Sequence, residues 1–340
     1  MKIIVDCMGG DNSPDANVEG AILALRKFSD LSVILTGDET GIKNILDKRN
    51  QNMDRIEIVS APTVITGDDK PTDAIRLKRD SSMMKGIKLL RENDDISAII
   101  STGATGALVA AATLRIGRID GVKRPAFCPI LPTMKGGIVG ICDSGANPTV
   151  TKELLVQFAI MGSRYLESAY KIKNPRVGLL NIGTEAEKGD DLRRETYEIL
   201  SGMKDINFAG NMESRDLLSG DFDLVVCDGF SGNVLVKSVE GTAMLLMKKI
   251  KNDIYSRRRY KIGAFFMKQM FKEEKEFMNY QNYGGSVMLG TEKIVVKGHG
   301  SSDRKAVYKC IAQAYRMEKS GLNKKISKSI AESCIDDTDS

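Results

Sequence analysis

The chain alternates short apolar runs with longer segments whose apolar residues fall at helical spacing. "KIIVD" (2–6) is a brief run rich in β-branched residues, the pattern of a strand buried on both faces. It breaks at "CMGGDNSP", after which Ser13 is expected as an N-cap and Pro14 as the first residue of a helix reaching about Phe28. "SVILT", "RIEIVS", "SAIIS", "AFCPILP", "GIVGICD", "RVGLLNIG", "INFAG" and "DLVVCDGF" predict further strands. Most are separated by helical patterns such as residues 149–170. This alternation predicts an α/β protein of three layers, α/β/α, around a mostly parallel sheet. No internal repeat, low-complexity tract or linker divides it. One α/β/α body is therefore expected over 1–322, with a basic amphipathic helical projection at 248–280 and a C-terminal helix and tail at 323–340.

Composition narrows the class. Hydrophobic residues at 42% and charged residues at 28% exclude general disorder. With 32 glycines and no tryptophan, a functional surface of backbone-rich loops is expected rather than an aromatic platform. Cys7, Cys128, Cys142, Cys227, Cys310 and Cys334 are scattered without a C-x-x-C pair. They point to a reducing compartment, and to neither a disulfide framework nor a zinc site. The chain opens directly on "KIIVD", and no apolar run approaches ~18 residues. A cytoplasmic protein that does not span a membrane is the expectation. The net charge of +5 is concentrated: Lys248–Lys275 holds ten Lys/Arg against three Asp/Glu, and the remainder is slightly acidic. No nucleic-acid-binding signature accompanies that stretch, so a nucleic-acid partner is not expected.

In such sheets ligands bind beyond the carboxyl ends of the strands. Six glycine-rich segments stand there: "DCMGGD" (6–11), "STGATGA" (101–107), "DSGAN" (143–147), "NIGTEAEKG" (181–189), "DGFSGN" (228–233) and "HGSS" (299–302). Glycine lets a backbone approach a ligand, and N–H groups at a following helix start favour an anion. Any one of these is more often a tight connection; six together point to a site for something anionic. The chain lacks G-x-x-x-x-G-K-[ST], G-x-G-x-x-G and G-x-S-x-G, which argues against a Walker nucleotide site, a dinucleotide fingerprint and a serine-hydrolase elbow. Asp6, Asp11, Asp143, Glu185 and Asp228 are not joined by histidine, and no metal is expected. Asp143 and Asp228 are read as loop ties and helix caps. Lys188, at the start of a helical pattern after a glycine turn, could meet a phosphate or be merely solvated. The residues themselves lead to a cytosolic α/β enzyme with a phosphate-like ligand.

"VDCMGGDNSP", "STGATGA", "RP" (124–125), "DSGAN", "PRVGLLNIGTEAEKG", "VCDGFSGNVLVKSVEG", "YGGSVMLG" and "HGSSD" occur in one order. In this the chain resembles the PlsX family of acyl-[acyl carrier protein]:phosphate acyltransferases over about residues 1–320. The resemblance implies an isopropylmalate dehydrogenase/phosphotransacetylase-like fold, a homodimer and no cofactor. It implies an activity that turns an acyl-[acyl carrier protein] thioester and inorganic phosphate into acyl phosphate for phospholipid synthesis. A membrane glycerol-3-phosphate acyltransferase would use that product. Two departures stand out: Ala104 replaces the Asn of the usual "SAGNTGA", and Cys7 replaces a usual Ala. The second loop's share is accordingly assigned to backbone amides and Thr105.

A thiolate is a fair leaving group, with a model thiol pKa of ~8.5, so phosphate can attack the thioester carbonyl directly. The protein must hold a dianion and stabilise a tetrahedral oxyanion. Lys188 and the loop amides suit the first task; Asn147, Asn181 or Asn233 suit the second. His299, the chain's single histidine, could donate to the oxyanion or the departing sulfur. Expected to bind substrate are Asp6, Gly9, Gly10, Asp11, Thr102, Gly103, Thr105 and Gly106, and with them Asn147, Asn181, Gly183, Thr184, Gly300 and Ser301.

In the basic stretch, Ile262, Phe266 and Met270 fall at i, i+4, i+8, with Phe265 beside them. Arg257, Arg258, Arg259 and Lys261 flank them. The plainer reading is a surface or dimer helix; the other is an interfacial element that places aromatics in lipid, or meets an acidic carrier protein. Peripheral membrane association is the narrowly favoured expectation. Two rival functions share these features: an NAD-linked dehydrogenase on the same fold, and a non-catalytic membrane-surface scaffold.

Overall fold

The computed structural model describes residues 1–277 and 280–333; Cys334 and the terminal "DDTDS" lie outside the described residues. Its strands are β1 (Lys2–Asp6), β2 (Ser32–Gly37), β3 (Ile56–Ser60), β4 (Ile96–Ser101), β5 (Ala126–Cys128) and β6 (Ile130–Pro132). They continue with β7 (Ile138–Cys142), β8 (Arg176–Asn181), β9 (Asn207–Glu213), β10 (Leu224–Val226), β11 (Ser286–Leu289) and β12 (Ile294–Lys297). They form a seven-stranded sheet, β3-β2-β1-β4-β12-β11-β5, and a five-stranded one, β6-β7-β10-β8-β9. The first is parallel from β3 to β12, with β11 antiparallel to both neighbours; the second is parallel apart from β6.

The apolar runs explain the layering. In β1, Ile3 and Val5 point into the largest core cluster while Ile4 points into another, so the strand is buried on both faces. Each wholly buried Ile or Val contributes about 1.5–3 kcal/mol. The largest cluster joins the sheets, taking Val296 from one and Cys142, Val177 and Val226 from the other. Helix Lys152–Tyr165 supplies Leu155, Phe158 and Ala159 to it. Helix Ser82–Glu92 covers the opposite face of the large sheet through Met83, Ile87 and Leu90. The result is a three-layer α/β/α arrangement. The C-terminal helix Leu322–Glu332 belongs to the same body, with Leu322, Ile326 and Ile330 in the main core. Among the described residues, no helix is long and apolar enough to cross a membrane.

Several local expectations are corrected. "AFCPILP" is two strands in different sheets: Pro129 has no N–H to continue a ladder, and its carbonyl instead accepts from Ile141 N at 3.1 Å. Ser13 does not cap the first helix. Pro14 occupies that place before helix Asp15–Lys27, and Ser13 Oγ turns back to donate to the carbonyl of Gly9. Lys188 stands before its helix, Asp191–Gly202, which is capped by Asp190 accepting from Arg193 N at 3.0 Å. The hairpin β11–β12 was not expected. The even helical spacing of the basic stretch is interrupted: helices Gly229–Ser256, Arg258–Phe266 and Lys268–Phe277 break at Arg257 and Met267, which puts Met270 on a different helix from Phe266.

Candidate active site

The carboxyl ends of β1, β4 and β12 bring three of the glycine segments into one knot. Gly298 N donates to Ser101 O at 2.9 Å and Asp11 N to Gly300 O at 2.7 Å. Thr102 Oγ1 donates to the Gly9 carbonyl, and Asn12 Nδ2 to the carbonyls of Ser301 and Ser302 at 3.1 and 3.2 Å. The glycines are required here: a Cβ on Gly9 would run into the backbone of Gly103, and Gly10 sits at φ +91° against Thr102 and Gly300. Gly106 packs its open face on Pro71.

Asp6 is the buried centre of the knot. Its carboxylate accepts from Ser82 Oγ at 2.6 Å, Ser101 Oγ at 2.7 Å and Met8 N at 3.2 Å. Burial raises its pKa, while Ser82 and Ser101 pull the other way. Its bonds tie β1 to β4 and to helix Ser82–Glu92, a structural task.

Where the two sheets meet, between the β5–β6 corner, the hairpin and helix Gly229–Ser256, lies a cleft of about 160 Å³. Thr105, Asn233 and His299 line it, together with Lys297, Lys237 and Ser302. Phe127, Pro129 and Leu131 form an apolar wall. The ionisable lining is two lysines, one histidine and Glu240, and Glu240 is paired with Lys237 at 2.6 Å.

Lys297, which the sequence reading did not single out, is the most perturbed group there. It ends β12 at 9% exposure, with Nζ donating to Thr102 O at 3.3 Å and to the Gly298 carbonyl. Burial lowers its pKa to about 8; Cys310 and Asp6 raise it against that trend. Its signal in the sequence was slight: a lysine directly after "IVV" and before "GHG". Lys237 and Glu240 could have been found from Asn233, since i+4 and i+7 share a helix face.

His299 is held by Ser301, whose backbone N–H donates to Nδ1 at 3.2 Å and whose Oγ lies 2.8 Å from the same nitrogen. A nitrogen that accepts an N–H carries no proton, so the neutral ring bears its proton on Nε2. Partial burial lowers its pKa, opposed first by Glu240. The ring is therefore neutral near pH 7 and equipped to donate from Nε2.

The other candidates are placed elsewhere. Asn147 is buried and donates both amide hydrogens internally, to Pro125 O at 2.7 Å and Asp143 Oδ2 at 2.9 Å. Asp143 itself accepts from the backbone of Phe127, Ser144, Ala146 and Asn147, a loop tie as expected. Asp228 caps helix Gly229–Ser256, accepting from Ser231 N at 2.8 Å. Asn181, Gly183, Thr184 and Lys188 form a separate turn beyond β8, where Asn181 Nδ2 donates to Lys188 O at 3.0 Å. Lys188 and Thr184 are exposed, and none of the four lines the cleft. Cys7, Cys128, Cys142, Cys227 and Cys310 are buried and free, and burial drives the thiols of Cys7, Cys142 and Cys227 well above the usual range and that of Cys310 to about 12. These four thiols are not equipped to act as thiolates. No cluster of three or more potential metal ligands occurs among the described residues.

An α/β/α body with a lysine-bearing cleft beyond its parallel strands is suited to an anionic ligand. The solved structures agree on the fold: a phosphotransacetylase from Streptococcus pyogenes matches with a TM-score of 0.62 at 17% identity, covering 94% of each chain. The EutD phosphotransacetylase from Staphylococcus aureus gives 0.59 at 15%, again covering 94% of each chain. The family model described as "Fatty acid synthesis protein" matches residues 1–325. The phosphate acyltransferase of Clostridium novyi (strain NT) is 43% identical over 335 residues, 98% of this chain and all of that one. That of Clostridium botulinum (strain ATCC 19397 / Type A) is 46% identical over 314 residues, 92% of this chain and 93% of that one. The chain belongs to this phosphate acyltransferase family, the PlsX family, and is a transferase.

Proposed function

We propose that the protein transfers a fatty acyl group from the thioester of an acyl carrier protein to inorganic phosphate, giving acyl phosphate and the carrier thiol. The observation that carries this reading is the buried Lys297 beside a neutral His299 in a cleft walled by apolar side chains. A phosphate oxygen attacks the thioester carbonyl carbon, the C–S bond breaks, and the sulfur leaves with a proton. Lys297, with Lys237 behind it, holds the dianion. The amide of Asn233 and the Nε2–H of His299 donate hydrogen bonds to the oxyanion, and the departing sulfur takes up the proton that hydrogenphosphate loses on becoming acyl phosphate. Phe127, Pro129 and Leu131 keep water from the acyl phosphate.

Peripheral attachment to a membrane is the second part of the proposal. Helix Arg258–Phe266 has no buried residue, and Ile262, Phe265 and Phe266 are 63%, 74% and 80% exposed. Arg257 and Arg259 lie over the Tyr260 ring, at 5.5 and 5.3 Å from its centroid, and Lys261 over that of Tyr255 at 5.6 Å. Aromatics beside cations suit an anionic bilayer surface, where the product would pass to a membrane glycerol-3-phosphate acyltransferase. Further back on the long helix, exposed Leu245 supports a homodimer. Purified protein should release carrier thiol from acyl carrier protein only when phosphate is present. Reduction or oxidation of a nicotinamide cofactor would favour the dehydrogenase reading instead, and vesicle binding without thiol release the scaffold.

A further inference from the structure

Helix Gly229–Ser256 builds two walls. Asn233, Val236 and Lys237 face the polar cleft, whereas Leu235, Val239 and Ala243, at i, i+4 and i+8, line a second hollow of about 560 Å³. The two hollows adjoin, because Leu131 and Glu240 line both. The floor of the second is the small sheet's own core, where Leu218, Leu235 and Val239 pack against buried Leu131 and Val236. Met134 and Phe277 also line it, and its charged lining is exposed Arg215 and Glu274 together with Glu240, which is paired with Lys237. Its volume is that of a small-molecule site, and its lining is apolar.

We propose that this groove holds the hydrocarbon chain of a long-chain acyl donor, with the carbonyl at the Leu131–Glu240 junction. The inference rests on the acyl-transfer reading above. The two hollows are contiguous: a chain whose reacting carbon lies by His299 and Lys297 meets the groove at Leu131 and Glu240, which line both. Ser214, Ser238 and Thr242 offer hydroxyls along the groove, but most of its exposed lining is carbon, which suits methylenes better than the amides of a carrier arm. Each methylene withdrawn from water is worth about fourfold in kcat/KM, so selectivity should climb with chain length until the groove is full.

The test compares butyryl and palmitoyl thioesters of acyl carrier protein, with inorganic phosphate as acceptor. Wild type should prefer the palmitoyl donor. Ala243→Trp, which fills the groove from the helix side, should lower kcat/KM for palmitoyl at least ~30-fold more than for butyryl. Met134→Asp changes a side chain that is 78% exposed, so the fold is spared, and it should shift the same ratio by at least ~10-fold. Equal losses for both donors, or an unchanged ratio in both variants, would overturn the groove assignment while leaving phosphate-dependent transfer standing. A change of sedimentation coefficient with no change in the ratio would assign the groove to a second copy of the chain, and also overturn it. If wild type makes acyl phosphate from neither donor, the functional reading fails, and the groove assignment with it.

Discussion

Replacing Lys297 with methionine keeps the length of the side chain and removes its charge. Activity and stability should then move in opposite directions. A hydrogen bond from a charged donor is worth about 1.5–3 kcal/mol, so kcat/KM for phosphate at pH 7 should fall about 10- to 150-fold. In wild type that parameter should also fall tenfold per pH unit above about 8, as the free enzyme's Lys297 loses its proton. The variant should lack this limb. For stability, the folded pKa of about 8 lies below the ordinary 10.5. Between these values the unfolded chain binds the extra proton, and wild-type stability rises with pH. The penalty for burying the ammonium is full below about 8 and gone above 10.5, and its size is about 3 kcal/mol. Methionine carries no such penalty, but it leaves the carbonyls of Thr102 and Gly298 without this donor, at about 1 kcal/mol each. Lys297→Met should therefore be more stable than wild type by about 1 kcal/mol at pH 7, and that lead should shrink by about 3 kcal/mol by pH 11. Urea unfolding across pH, run beside phosphate kinetics, measures both. Wild-type kcat/KM in the variant would refute the role given to Lys297. A stability difference that does not change with pH would refute the reasoning about its burial.

His299→Ala should lower turnover at least ~100-fold with the fold intact by circular dichroism, because the neutral ring's Nε2–H is lost; a near-wild-type rate would remove it from the mechanism. Cys7→Ala should stay active, and mass spectrometry during turnover should find no acyl-enzyme thioester, since the thiol is buried and its pKa raised. Replacing Phe265 and Phe266 together with Asp should abolish flotation with anionic vesicles, while phosphorolysis of soluble donor continues and sedimentation matches that of the wild type. A monomer or aggregate would instead make this pair an interface between copies.

Much of the frame was legible because parallel strands buried on both faces leave continuous apolar runs, as in "KIIVD" and "SAIIS". The β5–β6 corner was not, since a run of seven apolar-looking residues hides the change of sheet that Pro129 imposes. The four-residue strands β11 and β12 lie at the lower limit of what periodicity can register. The site was half legible. Glycine segments announced the knot around Asp6, but pattern alone could not separate Asn233, which lines the cleft, from Asn147, whose amide is consumed by Pro125 and Asp143. Lys297 escaped notice because a lysine at the end of a strand normally marks solvent, and only the packing around it shows that it is buried.

The most direct test is chemical. Purified protein is mixed with palmitoyl-[acyl carrier protein], with and without radiolabelled inorganic phosphate, and the free carrier thiol and the labelled acyl phosphate are counted together. The account predicts thiol release that requires phosphate and is matched mole for mole by labelled acyl phosphate. Thiol release that proceeds equally without phosphate, or that yields free fatty acid in place of labelled acyl phosphate, would contradict it.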